Sequence, residues 1–540
     1  MASAAGIVPT TYRLIMNVDS STWEFTTIPA LCAQAAEAYG EQIAVEDNGV
    51  SLSFVELDAL RRRIAKAFMA AGVSKGDRVM IWGPNTWKWF ASALGLVSAG
   101  AILIPTSTRF KGTEIAELIK RSGASMMLST GEFLGRYYPD QLDAASRAAL
   151  RAVVVFDGAR GEDMAWEAFL DAGDRISDAE LEARIASVQP DDLCDMLFTS
   201  GTTGYPKGVM YAHRQCLRAI DAWATRVGIG YRDRILVIPP FFHAFGYRSG
   251  AIVSLMRGAV LMPHLTYDPD EILHRVAREK VSVIPGPPAI FHGMLQHPEL
   301  SKFDTSSLRL GITGGSVVPA TLIRRMRSDL GFAGVVNGYG LTECGGYGTM
   351  CRADDDAEVI ANTCGKPFPN TEVCIMGEDR QLLADGKPGE VVIRGYLTMQ
   401  GYFNDPEATA KTIDEDGWLH TGDIGYFDDD GNLRIEDRVK DMYITGGFNC
   451  YPAEIERFMS AHPAVGQIAV IGVPDERMGE VGKAFVVLRP GKTATEQELI
   501  DWARANIANF KVPRSIEFRT SLPTSPQGKV VKDQLRQQAS

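Results

Sequence analysis

Apolar residues recur at two spacings along this chain, and the balance between them changes with position. From Thr27 to Pro105 the pattern alternates between the helical and the strand period, the mark of a layered α/β domain. Ser53-Phe54-Val55-Glu56 reads as a capping box opening a helix that carries Leu57, Leu60, Ile64 and Phe68 on one face. A strand follows at 78–82. The longest apolar stretch, 89–104, falls short of the ~20 residues of a membrane span and is broken by Gly95 and Gly100. It predicts a buried helix turning into a strand at 102–104. Residues from about 130 to 190 are rich in alanine and charge and carry no recognisable chemistry.

Between 195 and 340 strands are predicted at 235–238, 260–262, 283–284, 310–312 and 335–336. Helices at 269–280, 288–296 and 319–330 lie between them, each opened by a proline that fits the first turn. After about residue 365 the texture becomes short strands and tight turns. Asp428-Asp429-Asp430-Gly431, flanked by Tyr426-Phe427 and Leu433-Arg434-Ile435, predicts a hairpin; Tyr426 stands where a calcium loop needs its first Asp. Past Asp437 a smaller α/β unit follows, with helices at 452–459 and 496–505 and strands at 468–471 and 484–488. The expected fold class is α/β, divided into a large domain over 1–437 with a β-rich end, a hinge at 438–440 and a small α+β domain over 441–540.

A chain of 540 residues exceeds what one core supports, in keeping with at least two domains. The 67 acidic side chains outnumber the 55 basic ones, for a net charge of −12. That balance argues against a general nucleic-acid or anionic-membrane surface, so any site for an anionic ligand must be built locally. The eight cysteines contain no C-x-x-C pair, so neither zinc ligation nor a disulfide framework is signalled. They read as reduced thiols of a cytoplasmic protein. The N-terminal residues lack the basic start and apolar centre of a secretory signal, and no transmembrane anchor is expected.

The run Leu197-Phe198-Thr199-Ser200-Gly201-Thr202-Thr203-Gly204-Tyr205-Pro206-Lys207-Gly208 changes the picture most. Its glycines let backbone N–H groups approach an anion, its hydroxyls add donors and Lys207 adds a mobile charge, a composition suited to phosphate. The apolar strands 196–198 and 209–211 on either side would fix the loop on a sheet edge. The spacing is not that of G-x-x-x-x-G-K-[ST], so another class of phosphate loop is needed. The segment closely resembles the signature of the adenylate-forming superfamily of acyl-CoA synthetases, luciferases and peptide-synthetase adenylation domains, and the resemblance covers most of the chain.

Further segments match that family. Phe241-Phe242-His243-Ala244-Phe245-Gly246 places a histidine among aromatics just after a strand, ordinarily a core position; the resemblance implies that it borders the substrate carboxylate. Since a carboxylate is already ionised at pH 7, His243 would position it rather than take a proton. Thr313-Gly314-Gly315-Ser316 is implied to bound the adenine and acyl pockets. In Asn337-Gly338-Tyr339-Gly340-Leu341-Thr342-Glu343, Tyr339 offers an aromatic face for adenine, Thr342 a hydroxyl for the α-phosphate and Glu343 an oxygen ligand for Mg²⁺, with Thr202 alongside. Asp423 would accept the ribose hydroxyls, Arg438 assist on ribose or phosphate, and Lys440 serve the hinge. Gly446, Gly447 and Phe448 resemble the loop that closes over the pantetheine arm of coenzyme A, although Tyr443 and Cys450 depart from the commonest residues there. Lys529 matches the family's adenylation lysine.

The resemblance thus implies an acid-thiol ligase using ATP, Mg²⁺ and coenzyme A. The carboxylate would attack the ATP α-phosphate, pyrophosphate would leave, and a thiol would then displace AMP while the small domain swings about Lys440. A carrier-protein ligase, a luciferase-like oxidase and a non-catalytic nucleotide sensor are the rival readings. A homodimer is compatible with the sequence. Residues 241–247, with Phe242, Phe245 and Gly246, and Gly314, Gly340, Gly345, Gly346 and Tyr347 should line an acyl pocket larger than acetate needs. Together with Thr349-Met350-Cys351-Arg352 they resemble ligases for the propanoate of a two-ring steroid fragment, against a plain medium- or long-chain fatty acid.

Overall fold

The computed structural model describes residues 27–200, 206–314, 318–438, 441, 443–445, 448–450, 452–475, 478–507, 509–525 and 530–539. Among the described residues the strands form five sheets. The largest has a parallel centre made of Gly334–Tyr339, Leu310–Gly314, Val283–Pro285, Arg234–Val237, Val260–Pro263 and Ile43–Asp47. Short antiparallel strands, Val50–Ser53 at one edge and Thr349–Met350 with Lys366–Pro367 at the other, close it off. A second sheet is parallel through Ile102–Thr106, Arg78–Trp82, Met126–Ser129, Val153–Val155 and Met164–Ala165, and ends in the hairpin of Leu193–Ser200 and Pro206–Ala212.

Local chemistry sets the helices between these sheets. The helix Phe54–Ala70 starts where expected: the Glu56 N–H donates to Ser53 Oγ (3.2 Å) and the Ser53 N–H to Glu56 Oε2 (2.8 Å). The apolar run after it is the helix Trp87–Ser98 followed by the buried strand Ile102–Thr106. Pro269 and Pro288 sit in the first turns of Pro269–Glu279 and Pro288–Leu295. Pro319 differs. It is the N-cap of Ala320–Ser328, because its extended ψ of 141° keeps it just outside the helix.

A four-stranded antiparallel sheet, Thr371–Met376, Gly389–Gly395, Leu419–Phe427 and Leu433–Arg438, supplies the β-rich end. Its last two strands are the predicted hairpin. Asp428 Oδ1 accepts the N–H groups of Asp430 and Asn432, so this carboxylate closes a turn rather than waiting for a cation. One buried apolar cluster runs through these three of the five sheets, joining Val79 and Leu103 to Ile235 and Leu261 and on to Val391 and Leu433.

After residue 440 the packing is separate. Tyr443–Thr445, Phe448–Cys450, Gly479–Leu488, Val465–Asp475 and Ser515–Phe518 form a five-stranded sheet, with Pro452–Ser460 and Glu496–Asn506 against it. Tyr443, Ile455, Val470, Val486 and Leu499 are the centre of its own core. The sequence thus folds as a mixed α/β chain with a large N-terminal part and a small C-terminal one. Among the described residues no helix is long and apolar enough to cross a membrane.

Candidate active site

In an open parallel sheet the ligand crevice lies beyond the carboxyl ends of the strands. Here those ends carry Thr313-Gly314, Gly338-Tyr339 and the turn 239–243 that follows Arg234–Val237. The hairpin beside them holds the ends of the phosphate-loop segment in register: Leu197 faces Val209, Phe198 faces Gly208 and Thr199 faces Lys207. Residues 201–205, with Gly201, Thr202, Thr203 and Gly204, lie outside the described residues, as does the side chain of Ser200.

Lys207 and Glu343 are 136 positions apart in sequence, and a residue between them in space joins them. The Lys207 ammonium lies over the Tyr402 ring, 4.8 Å from its centroid, and the Tyr402 hydroxyl donates to Glu343 Oε1 at 2.9 Å. Burial first, then the Glu343 charge, pushes the Tyr402 phenol up, so it stays a donor. The backbone makes this meeting possible. The Met399 N–H donates to the Glu343 carbonyl (2.9 Å), Gln400 N–H to the Met210 carbonyl (3.0 Å) and Phe403 N–H to the Gly208 carbonyl (2.8 Å). Residues 399–403 therefore lace the Glu343 turn to the hairpin of Leu193–Ser200 and Pro206–Ala212. Sequence reading missed Tyr402; its only signal was an aromatic after Gly401.

The residues expected to meet the nucleoside gather around Tyr339. Its hydroxyl donates to Asp423 Oδ2 at 2.6 Å, and burial followed by that carboxylate holds the phenol well above its ordinary range. Asp423 is buried and braced from behind. Its own N–H donates to Thr421 Oγ1 (3.1 Å), the Gly422 N–H donates to Glu390 Oε1 (2.9 Å), and His420 sits between Glu390 Oε2 (2.8 Å) and Asp414 Oδ2 (3.1 Å). Burial disfavours the charged imidazole, but the two carboxylates outweigh it and hold His420 above its usual range. In register, Asp423 faces Arg438 across the hairpin, although the Arg438 side chain lies outside the described residues. Asn337 spends its amide hydrogens on the Ile360 and Thr363 carbonyls (3.1 and 3.2 Å), so only its carbonyl oxygen remains for a ligand.

The residues expected to line an acyl pocket gather around His243. Its Nδ1 accepts the Phe245 N–H (3.2 Å), which assigns the neutral ring's proton to Nε2 and makes that nitrogen a donor. Such a ring suits holding a carboxylate. Phe242 and Phe245 are half-buried beside it. Gly246 has no alternative, since a Cβ there would stand 2.3 Å from the carbonyl oxygens of both Pro239 and Pro240. Gly340 is similar: a Cβ would meet the Gly346 carbonyl oxygen at 2.3 Å, which brings the turn at Gly345 against the strand end. Thr342 opens the short helical turn Thr342–Cys344 that carries Glu343.

Behind this wall lies a charged pair that no motif announced. Arg248 and Asp195 are both fully buried and 2.5 Å apart, Arg248 Nη1 also donates to the Gly345 carbonyl (3.3 Å), and the guanidinium lies 4.1 Å from the Tyr211 ring centroid. Burial opposes the charged guanidinium, but Asp195 outweighs it. Cys194, Asp195 and Cys216 bring three ligating atoms within 4.8 Å of one another. With the carboxylate committed to Arg248 and burial pushing the Cys194 thiol well up, this cluster is packing rather than a metal centre. None of the eight cysteines is in a disulfide.

Gly315, Ser316, Lys440, Gly446, Gly447 and Lys529 lie outside the described residues, as does the Phe448 side chain.

Comparison with known proteins identifies the family. The family model for "AMP-binding enzyme" matches residues 32–403, and the one for "AMP-binding enzyme C-terminal domain" matches residues 454–529. The chain is 46% identical over 514 residues to a 3-[(3aS,4S,7aS)-7a-methyl-1,5-dioxo-octahydro-1H-inden-4-yl]propanoyl:CoA ligase of Mycobacterium tuberculosis, covering 95% of this chain and 99% of that one. It is 45% identical over 519 residues to the ligase of the same description from Rhodococcus jostii, again 95% and 99%. Among solved structures, an anthranilate CoA ligase in complex with anthranoyl-AMP superposes with a TM-score of 0.85 at 25% identity, covering 97% of this chain and 99% of that one.

Proposed function

Because the chain belongs to the AMP-binding enzyme family, we propose that it is an ATP-dependent acyl-CoA ligase whose acid is a propanoate carried on a fused two-ring ketone, as in the Mycobacterium and Rhodococcus relatives. The observation that carries this reading is the convergence of Lys207 and Glu343 on Tyr402 in a chain whose Tyr339 hydroxyl is bonded to Asp423. Phosphate and nucleoside groups then have adjacent partners.

A carboxylate is a poor electrophile, because its leaving group would be oxide. The first half-reaction replaces that oxygen: the carboxylate attacks the ATP α-phosphate, pyrophosphate leaves and an acyl-adenylate forms. His243 holds the carboxylate through Nε2–H, and the 199–207 loop with Lys207 holds the β- and γ-phosphates. Each charge-assisted hydrogen bond there contributes about 1.5–3 kcal/mol. Gly315 and Ser316 bound the adenine, Thr342 bonds the α-phosphate, Asp423 takes the ribose hydroxyls and Arg438 assists. A carboxylate and a hydroxyl beside phosphates fit Mg²⁺, so Glu343 and Thr202 would hold it, and when bound it offsets phosphate charge. Lys529 neutralises charge developing between the attacking oxygen and the α-phosphate.

In the second half-reaction the coenzyme A thiol attacks the acyl carbonyl and AMP leaves. We assign residues 1–437 to the large domain, 438–440 to the hinge and 441–540 to the small domain, which turns about Lys440 to withdraw Lys529 and present Gly446, Gly447 and Phe448. The free thiols support a reducing, cytoplasmic location.

The test supplies ATP, magnesium and either coenzyme A or a phosphopantetheinylated carrier protein to a panel of linear, aromatic and fused-ring acids. The expected result is acyl-CoA with stoichiometric AMP and pyrophosphate, and highest kcat/KM for fused-ring propanoates. Thioester on the carrier alone, or reaction with short linear acids only, would contradict it.

A further inference from the structure

Two buried donors in one aromatic cluster with Phe241 have no acceptor among the described residues. The Tyr247 hydroxyl and the Trp89 indole N–H are both enclosed, and neither has a hydrogen-bond partner among the described residues. Each side chain is fully buried. They belong to one aromatic cluster: the Trp89 ring lies 5.7 Å from Tyr247, edge to face, and 5.2 Å from Phe241. A buried polar group without a partner costs about 1–3 kcal/mol, and native interiors leave few of them, so two in one cluster require an explanation.

Their position supplies one. The Tyr247 N–H donates to the His243 carbonyl at 3.0 Å, which puts Tyr247 one turn beyond the residue that holds the carboxylate. Four residues at ~1.5 Å each separate them by roughly 6 Å along the axis, about the reach of a propanoate arm. The six residues Tyr247–Ile252 then form a π-helical turn, a wide conformation that occurs often at functional sites.

Charge narrows the ligand. The neighbouring cation, Arg248, is committed to Asp195 at 2.5 Å, and the Ser249 and Tyr347 hydroxyls are bonded to each other at 2.9 Å. A second carboxylate entering here would be an uncompensated buried charge, whereas a neutral carbonyl oxygen needs only donors and has two lone pairs to receive them. We propose that Tyr247 and Trp89 donate to a ring carbonyl oxygen of the acid, so that this pocket selects a keto acid over the same skeleton without the carbonyl and over a dicarboxylate. The proposal rests on the acyl-CoA ligase reading above and specifies how its substrate is recognised.

The test measures kcat/KM for acyl-CoA formation with a fused-ring keto propanoate, its deoxo counterpart and a dicarboxylate of similar size. The wild-type enzyme should prefer the keto acid over the deoxo acid by at least about tenfold, because a site built to bond an oxygen rejects the analogue lacking it. Tyr247→Phe should lower that ratio about tenfold, chiefly through KM, and Trp89→Phe should move it in the same direction. If Tyr247→Phe does not fold, the Trp89→Phe ratio decides the matter. An unchanged keto-to-deoxo ratio, an equal loss on both acids, or a preference for the dicarboxylate would overturn the proposal. Failure of every acid to release pyrophosphate is a different result, one that would overturn the ligase reading and this proposal with it.

Discussion

Replacing Lys529 by alanine lowers acyl-adenylate formation by about 10²–10³-fold, the usual loss for a group that stabilises developing charge, while thioester formation from supplied acyl-adenylate proceeds near the wild-type rate. The two halves separate because their charges differ. In adenylation a carboxylate approaches an anionic phosphate, and the non-bridging α-phosphate oxygens and the departing pyrophosphate carry negative charge that an ammonium can offset. In thiolation the mixed anhydride with AMP is already made, and the attacking group meets a neutral carbonyl. Rapid-quench assays of each half-reaction, started from ATP plus acid or from purified acyl-adenylate plus coenzyme A, read the two rates separately. Equal losses in both would refute the division of labour and with it the proposed swing about Lys440.

Asp423→Ala carries the second large effect, and it falls on nucleotide binding. The carboxylate is buried, receives the Tyr339 hydroxyl at 2.6 Å and is fixed from behind by Thr421, Glu390 and His420. A carboxylate has about four lone-pair directions, so one phenol does not saturate it. Two ribose hydroxyl bonds at about 1.5–3 kcal/mol each, of which part is recovered by water, predict an ATP KM raised by roughly 10²-fold. The KM for the acid should move far less. Steady-state kinetics with pyrophosphate detection decide it: an ATP KM within twofold of wild type would remove Asp423 from the ribose.

Much of this arrangement was legible in the chain because its causes are local. Ser53 and Glu56 define a helix start within four residues, and the apolar strands on either side of residues 201–205 lie at a sheet edge, as expected. Asp428 closes the turn that its neighbours predict. Pro319 missed by one position, since a proline serves equally well before a helix as inside its first turn. The contacts that escaped are long-range. Tyr402 reaches Glu343 only because residues 399–403 bond to two distant strands, and no periodicity records that. The buried pair of Asp195 and Arg248, 53 positions apart, escaped as well, since nothing near either residue names the other. The Cys194 and Cys216 meeting was hidden for the same reason.

The decisive measurement follows one oxygen. If the acid is labelled with oxygen-18 in its carboxylate and turned over with ATP and coenzyme A, attack on the α-phosphate must leave one labelled oxygen in the AMP and none in the pyrophosphate. Mass spectrometry of the products reads this directly. Label appearing in orthophosphate alongside ADP, or AMP formed without label, would mean that the acid is activated by some other route.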